Sequence, residues 1–426
     1  MKTRILILIF SLIGTMCTFS QNEQILKQTN QIYDSLIRFR RDLHRHPELS
    51  GNEIRTSTKI KEYLDSLGLE VKIGIGGNGV VGILKGKHPG KVLAWRADID
   101  AFETDFPDNV DFKSENEGVR HICGHDVHTA IGLGIANVLS KLKNEFNGTI
   151  MFIFQPSEEN FEGAKKMLEA GIFDRVKPDA IFALHLAPIS SDKISCKLKE
   201  MYWRGKVLSI EIEGKEDLEK VTDTLTNYLL QISTESENSP YFNINTLMSP
   251  ANSLGNPNSI YKDYFVLSKS RIKKEINRKG MVLKAEVESS NQENFNTGIE
   301  KLKKLINNSE YKDRIANIGY TEHYPTVYNN PNLTQSSIKI LTSNFGNEIF
   351  MPLYGVSPFN NDDFAYFQQE IDGVYFFLGA SDFENGIISA PHAPNFMVDE
   401  ESIRNGVNYF STLIIEQLKE LNKNAP

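Results

Sequence analysis

The eight residues His121-Ile122-Cys123-Gly124-His125-Asp126-Val127-His128 gather three histidines, a cysteine and an aspartate, in a chain that has nine histidines in all. Imidazole and thiolate are ligands for borderline-soft divalent metals, and such a density of them points to a metal site. Further along, Gln155-Pro156-Ser157-Glu158-Glu159 sets two carboxylates side by side. A carboxylate next to a metal can take a proton from a water that the metal acidifies. Adjacent glutamates are commonly a solvated face. These follow a fully apolar segment, 149–154, and are read instead as site residues.

The elements around these stretches must position them. With 120–125 extended, side chains alternate, and His121, Cys123 and His125 point to one side. Asp98 and Asp100 follow an apolar strand over 92–96, at the end where α/β sheets place their sites. They read as supports that orient a histidine ligand through its free ring nitrogen, the plainer alternative being a strand-end turn. A buried strand over 180–184 delivers His185, and the loop Ser389-Ala390-Pro391-His392-Ala393-Pro394 brings His392. His128 falls at the start of a helix over 129–142 and reads as structural. His44 and His46 have no second ligand near them in the chain, so they read as packing or hydrogen-bonding residues.

With 426 residues the chain has room for two domains, or for one large domain with an insertion. Its 40% hydrophobic and 24% charged content is that of a soluble globular protein, and a net charge of -8 leaves no basic footprint for nucleic acid. Lys2 and Arg4 precede an apolar run from Ile5 to Ile13, and Thr18-Phe19-Ser20 offers small residues before a cut. This predicts a secretory signal peptide over 1–20 and a mature chain starting near Gln21, secreted or periplasmic. No later run is apolar enough to cross a membrane. Once the leader is removed, Cys123 and Cys196 remain. In an oxidising compartment they could form a disulfide. The position of Cys123 between His121 and His125 favours a metal thiolate, with Cys196 a buried thiol.

Taken in order, the pattern predicts helices over 24–46 and 53–67 and strands over 70–73 and 80–84. Between those strands, Gly74-Ile75-Gly76-Gly77-Asn78-Gly79 spells a dinucleotide-binding pattern. That motif must open a helix, and this one runs into a strand, so it reads as a hairpin loop. Strand, ligand, helix, strand, ligand is the order of a doubly wound α/β sheet. From Val207 the character changes to a self-contained α+β insertion with strands over 207–213, 264–268 and 281–288 and helices over 216–232 and 293–306. No histidine occurs between His185 and His323. The α/β pattern then resumes with a strand over 373–378 and a closing helix over 401–421. The expected spans are a leader at 1–20, a catalytic domain at 21–205 and 327–426, and an inserted domain at 206–326.

These residues resemble the dinuclear metal amidohydrolases of the aminoacylase–carboxypeptidase superfamily, in the branch of hippurate hydrolases, auxin-conjugate hydrolases and N-acetyl-diaminopimelate deacetylases. The resemblance runs, in order, through Arg41-Asp42-Leu43-His44-Arg45-His46-Pro47-Glu48-Leu49-Ser50, Trp95-Arg96-Ala97-Asp98-Ile99-Asp100-Ala101, the cysteine–histidine stretch, Phe154-Gln155-Pro156-Ser157-Glu158-Glu159, Ala183-Leu184-His185, Asp363-Phe364-Ala365-Tyr366 and Pro391-His392-Ala393-Pro394. It implies that Cys123, His125, Glu159, His185 and His392 ligate two divalent metal ions, that Glu158 is the catalytic base, and that Asp98 and Asp100 support the ligands. Zinc suits such ligands, with manganese, cobalt or nickel as alternatives. The insertion corresponds to the family's lid or dimerisation domain, which implies a homodimer through the lid. The implied substrates are N-acyl amino acids or small peptides.

The chain departs from the family in its lid. Where relatives carry a glycine-glycine-histidine-alanine stretch, this chain has Glu213-Gly214-Lys215-Glu216-Asp217. Losing such an oxyanion donor costs roughly 10²–10³ in turnover, and Tyr202, Arg204 or His323 are the candidate substitutes. Phe359-Asn360-Asn361-Asp362 replaces a glycine-serine-glutamate, and Asn395 stands where relatives often have a second histidine. The readings that remain are a secreted amidohydrolase, an aminopeptidase, dipeptidase or carboxypeptidase of the same superfamily, and a metal-bearing binding protein with a degenerate lid.

Overall fold

In the computed structural model the backbone is described for residues 2–423 and side chains from Gln21 onward, those of residues 322 and 323 excepted. The leader span 1–20 and His323 therefore lie outside the described side chains. Contacts divide the chain into two compact units. The first is Met1–Cys196, Asn330–Met351 and Tyr366–Pro426, and the second is Lys197–Asn329 and Pro352–Ala365. The segment Pro352–Ala365 belongs with the inserted unit, although it lies within the span 327–426 that the sequence pattern assigns to the catalytic part.

The first unit is built on a mixed eight-stranded sheet. Its order is Glu70–Ile75, Gly79–Lys85, Thr149–Gln155, Val92–Asp98, Ala180–Ser190, Gly373–Ser381, Ile194–Cys196 and Phe350–Pro352. The four central strands, from Thr149–Gln155 to Gly373–Ser381, run parallel. They are mostly apolar, as strands covered on both faces must be, with Arg96, Asp98, Gln155 and His185 as buried polar exceptions toward the site. Phe152, Phe154, Trp95, Phe182 and Phe376 lie in this core. The Gly74–Gly79 stretch is the hairpin that the pattern predicts, pairing Ile75 with Gly79. Helices α1 (Lys2–Arg45), α2 (Ile54–Ser66), α3 (His125–Lys141) and Glu401–Lys423 belong to this unit. The parallel strands share one direction, so Asp98, Gln155 and the loops that follow them emerge at a common edge.

The second unit is an antiparallel four-stranded sheet in the order Phe265–Ile276, Gly280–Ser289, Arg204–Glu213 and Ile315–Tyr324. Helices Leu218–Ile232 and Gln292–Asn307 pack on it through Val221, Leu225, Leu229, Phe295, Leu302 and Ile306. The strand Ile315–Tyr324 and, in the first unit, the helix Pro331–Phe345 were not anticipated from the sequence. Both are mixed in polarity and carry no clear period, so pairing and packing define them rather than pattern. Within this unit Arg204 pairs with Glu200 at 3.5 Å. Among the described residues, no helix is long and apolar enough to cross a membrane.

Candidate metal centre

The cysteine–histidine stretch is less extended than its alternation suggests. The strand stops at Val119–Arg120, and α3 begins at His125. Gly124 causes the break. Its φ of +91° is in the left-handed region, and a Cβ there would meet Leu186 Cδ1 at 2.7 Å. The strand ends at Arg120, before His121, so alternation does not carry His121 to the side where Cys123 and His125 meet. His121 is buried near the His44 ring (centroids 6.4 Å apart), and no hydrogen bond reaches either of its ring nitrogens. Burial pushes it down to about 4. It belongs to none of the described clusters with metal-ligand geometry.

Five other residues do converge. Cys123 Sγ lies 3.1 Å from His185 Nε2 and 3.2 Å from His392 Nε2. Glu159 reaches between these groups, with Oε1 3.9 Å from His125 Nε2 and Oε2 3.5 Å from His392 Nε2. The ligand atoms of Cys123, His125 and His185 lie close enough together to hold one ion, and so do those of Cys123, Glu159 and His392. Cys123 and Cys196 are both free thiols, so the disulfide alternative is not the arrangement found. Burial alone pushes the Cys196 thiol up, far from reactivity.

Donor chemistry and the orphaned atoms both fit divalent metal. One sulfur, three imidazole nitrogens and a carboxylate form a set that borderline-soft cations favour. No hydrogen bond reaches the buried atoms His125 Nε2 and Glu159 Oε1, which is costly for polar atoms that have no other task. The ring orientations agree. His125 Nδ1 donates to the Asp100 carbonyl at 3.0 Å and faces Asp100 Oδ1 at 3.2 Å, while His185 Nδ1 donates to Leu186 O at 2.8 Å. Each ring thereby turns Nε2 into the cluster.

Electrostatics divides the histidines of the cluster. Burial opposes charge on His125, but the Asp98 and Asp100 carboxylates outweigh it and push His125 up to about 10. Burial pushes Glu159 up to about 7 against the pull of His125. His185 is held well below its ordinary value by burial and by His128. His392 is lowered to about 4 by burial and by His125. His185 and His392 thus keep the neutral form whose lone pair a cation requires, whereas His125 has to give up its Nε2 proton to bind one.

The two supporting aspartates divide their work. Asp100 holds His125, while Asp98 Oδ1 takes the Nδ1–H of His128 at 2.6 Å. His128 Nε2 then accepts the Leu186 N–H at 3.0 Å, next to His185 in the chain. Asp98 Oδ2 is bound by Arg96 at 2.6 Å, and Arg96 Nε donates to Gln155 Oε1 at 2.8 Å. His128 is thus a satisfied structural histidine that ties two neighbouring central strands together. His44 is likewise bonded, to Asp126 Oδ2 at 2.9 Å and to Asp108 at 3.2 Å.

Glu158 sits beside the cluster, 8% exposed, with Oε2 3.7 Å from His125 Nε2. Backbone strain gathers here. Of five non-glycine residues with positive φ among the described residues, Ser157, Phe161 and His392 flank the cluster or belong to it. The residues that sequence reasoning missed are Ser50 and Glu53. Ser50 donates to Asp100 at 2.6 Å, and Glu53 accepts the Ser157 N–H at 2.8 Å. Neither lies near a ligand in the chain, so spacing carried no signal for them.

The chain is similar to known proteins over most of its length. The model of peptidase family M20/M25/M40 matches residues 94–416. Thermostable carboxypeptidase 2 of Saccharolobus solfataricus is 30% identical over 404 residues, covering 92% of this chain and 98% of that one. A Bacillus subtilis protein named as an amidohydrolase, YhaA, is 29% identical over 391 residues, covering 89% of this chain and 94% of its own. Among solved structures, the Bacillus subtilis YXEP protein, described as a dinuclear metal binding peptidase, superposes with a TM-score of 0.69. It is 26% identical and covers 92% of this chain and 99% of its own.

Proposed function

The chain belongs to peptidase family M20/M25/M40 and is a metal-dependent hydrolase of amide bonds; from that premise we propose that it cleaves N-acyl amino acids or small peptides with Glu158 as general base. The observation that carries the proposal is the position of Cys123 Sγ, within 3.2 Å of both His185 and His392, with Glu158 adjacent to the cluster. Cys123, His125, Glu159, His185 and His392 would hold two divalent cations, for which zinc is the best match to the donors. When bound, the cations supply Lewis acidity toward the amide oxygen and lower the pKa of a water.

The protein's own share follows from its side chains. Glu158 takes a proton from the attacking water as oxygen adds to the amide carbon, and delivers it to the nitrogen as the C–N bond breaks. The products are a carboxylate and a free amine. Asp100 fixes His125, and the edge of Phe102 packs on His392 with centroids 4.5 Å apart, steadying that ring. The glycine-glycine-histidine-alanine stretch of relatives is replaced here by Glu213–Asp217, so a different donor would serve the transition-state oxygen. The N-terminal run Lys2–Ile13 supports export, and a homodimer through the second unit accords with the family type.

The test is Glu158→Gln, assayed on a panel of N-acyl amino acids, dipeptides and longer peptides. Turnover should fall by about 10²–10⁴ with metal content unchanged. The carboxypeptidase relative favours a second reading, in which peptides with a free C-terminus outrun acyl amino acids on that panel. Wild-type protein that is loaded with metal and hydrolyses nothing would favour a binding role instead.

A further inference from the structure

Ser157 immediately precedes Glu158 and adopts φ +56° while only 4% exposed. That backbone conformation is unfavourable for serine and persists only when its surroundings impose it. The Ser157 N–H donates to Glu53 Oε1 at 2.8 Å, and the Gly51 N–H donates to the same oxygen at 2.8 Å. Asn78 Nδ2 donates to Glu53 Oε2 at 3.0 Å. Two residues past Ser157, the Glu159 N–H donates to Asp100 Oδ2 at 3.0 Å. The amides on either side of Glu158 are thus each tied to a buried carboxylate.

Glu53 occupies the N-cap position of α2, yet its side chain makes no cap bond there. The first-turn amides of α2, Arg55 N and Thr56 N, are served instead by Glu48 at 3.0 and 2.7 Å. The Glu53 carboxylate is therefore turned away from the helix it begins and toward the site loop. It is 0% exposed, and its described partners are N–H groups rather than cations. Burying a carboxylate in this way costs more than burying an apolar side chain of its size, so packing does not account for it.

We propose that Glu53 is a positioning residue for amide hydrolysis, its carboxylate holding Ser157 in the left-handed turn that aims Glu158. The inference rests on Glu158 acting as the base. The experiment compares kcat, KM and metal content for wild type, Glu53→Ala, Ser157→Gly, the double variant and Glu158→Gln, on the panel substrate that wild type turns over fastest. Glycine adopts positive φ without cost, so it should make the clamp dispensable. Glu53→Ala should lose about 10–10² in kcat with KM and metal content unchanged. Ser157→Gly should match wild type, and the double variant should recover most of the loss. A wild-type kcat in Glu53→Ala, or a double variant no faster than Glu53→Ala alone, overturns the proposal. Should Glu53→Ala not fold, Glu53→Gln with and without Ser157→Gly makes the same comparison. Wild-type turnover in Glu158→Gln would remove the base assignment and this inference together. An inactive Glu158→Gln beside a fully active Glu53→Ala would remove this inference alone.

Discussion

His392 and Cys123 are separated by 269 positions in the chain and by 3.2 Å in space, Nε2 to Sγ. The His392 N–H also donates to Ile122 O at 2.9 Å, so the closing loop is fastened to the backbone beside the cysteine. A loop held in this way delivers an imidazole from the far end of the chain to the cysteine–histidine cluster.

The ring of His125 depends on Asp100. Asp100→Ala removes the carboxylate that faces His125 Nδ1 and also frees Ser50 and the Glu159 N–H. Metal affinity should fall by about 10–100-fold, as read by competition with a chelator. Unchanged affinity would show that the Asp100 carbonyl alone orients the ring.

A buried ion pair anchors α1 to the start of α3. Arg40 Nε lies 2.7 Å from Asp126 Oδ2, both with side chains nearly inaccessible to water. Arg40→Met strands the Asp126 charge and should destabilise the fold by about 3–5 kcal/mol in denaturant titration. A loss below about 1 kcal/mol would mean that His44 alone satisfies Asp126.

His44 makes that anchor depend on pH. Burial lowers its pKa, but the Asp108 and Asp126 carboxylates outweigh burial and raise it above the ordinary value. A raised folded-state pKa contributes stability that is fully present below the unfolded value, near 6.5, and is lost as pH rises through the folded value. The stability gap between wild type and His44→Gln should therefore be larger at about pH 6 than at about pH 9. A gap that is constant or grows with pH contradicts this linkage.

Much of the site was legible in the sequence, because strand ends and ligand types carry it. Apolar runs announced the four central strands, and Asp98, Glu158, Glu159 and His185 follow from where those runs stop. The misreading at 120–125 came from carrying strand alternation past Arg120, where the strand ends. His121 was grouped with the cysteine for that reason. The roles of Glu53 and Ser50 could not be read from spacing, since they come from a loop folding back over the site. Pro352–Ala365 was likewise assigned by continuity, whereas its packing partners Trp203, Tyr261 and Leu254 meet it through Val356 and Phe359 in the second unit.

The central claim is that one thiolate, three imidazoles and one carboxylate hold a pair of cations. Metal analysis of the purified wild-type and Cys123→Ser proteins by inductively coupled plasma mass spectrometry tests it most directly. The account predicts two divalent cations per wild-type chain and a marked loss in Cys123→Ser, because that sulfur adjoins both histidines. A wild-type chain without stoichiometric divalent metal, or a Cys123→Ser chain that retains the full pair, would contradict it.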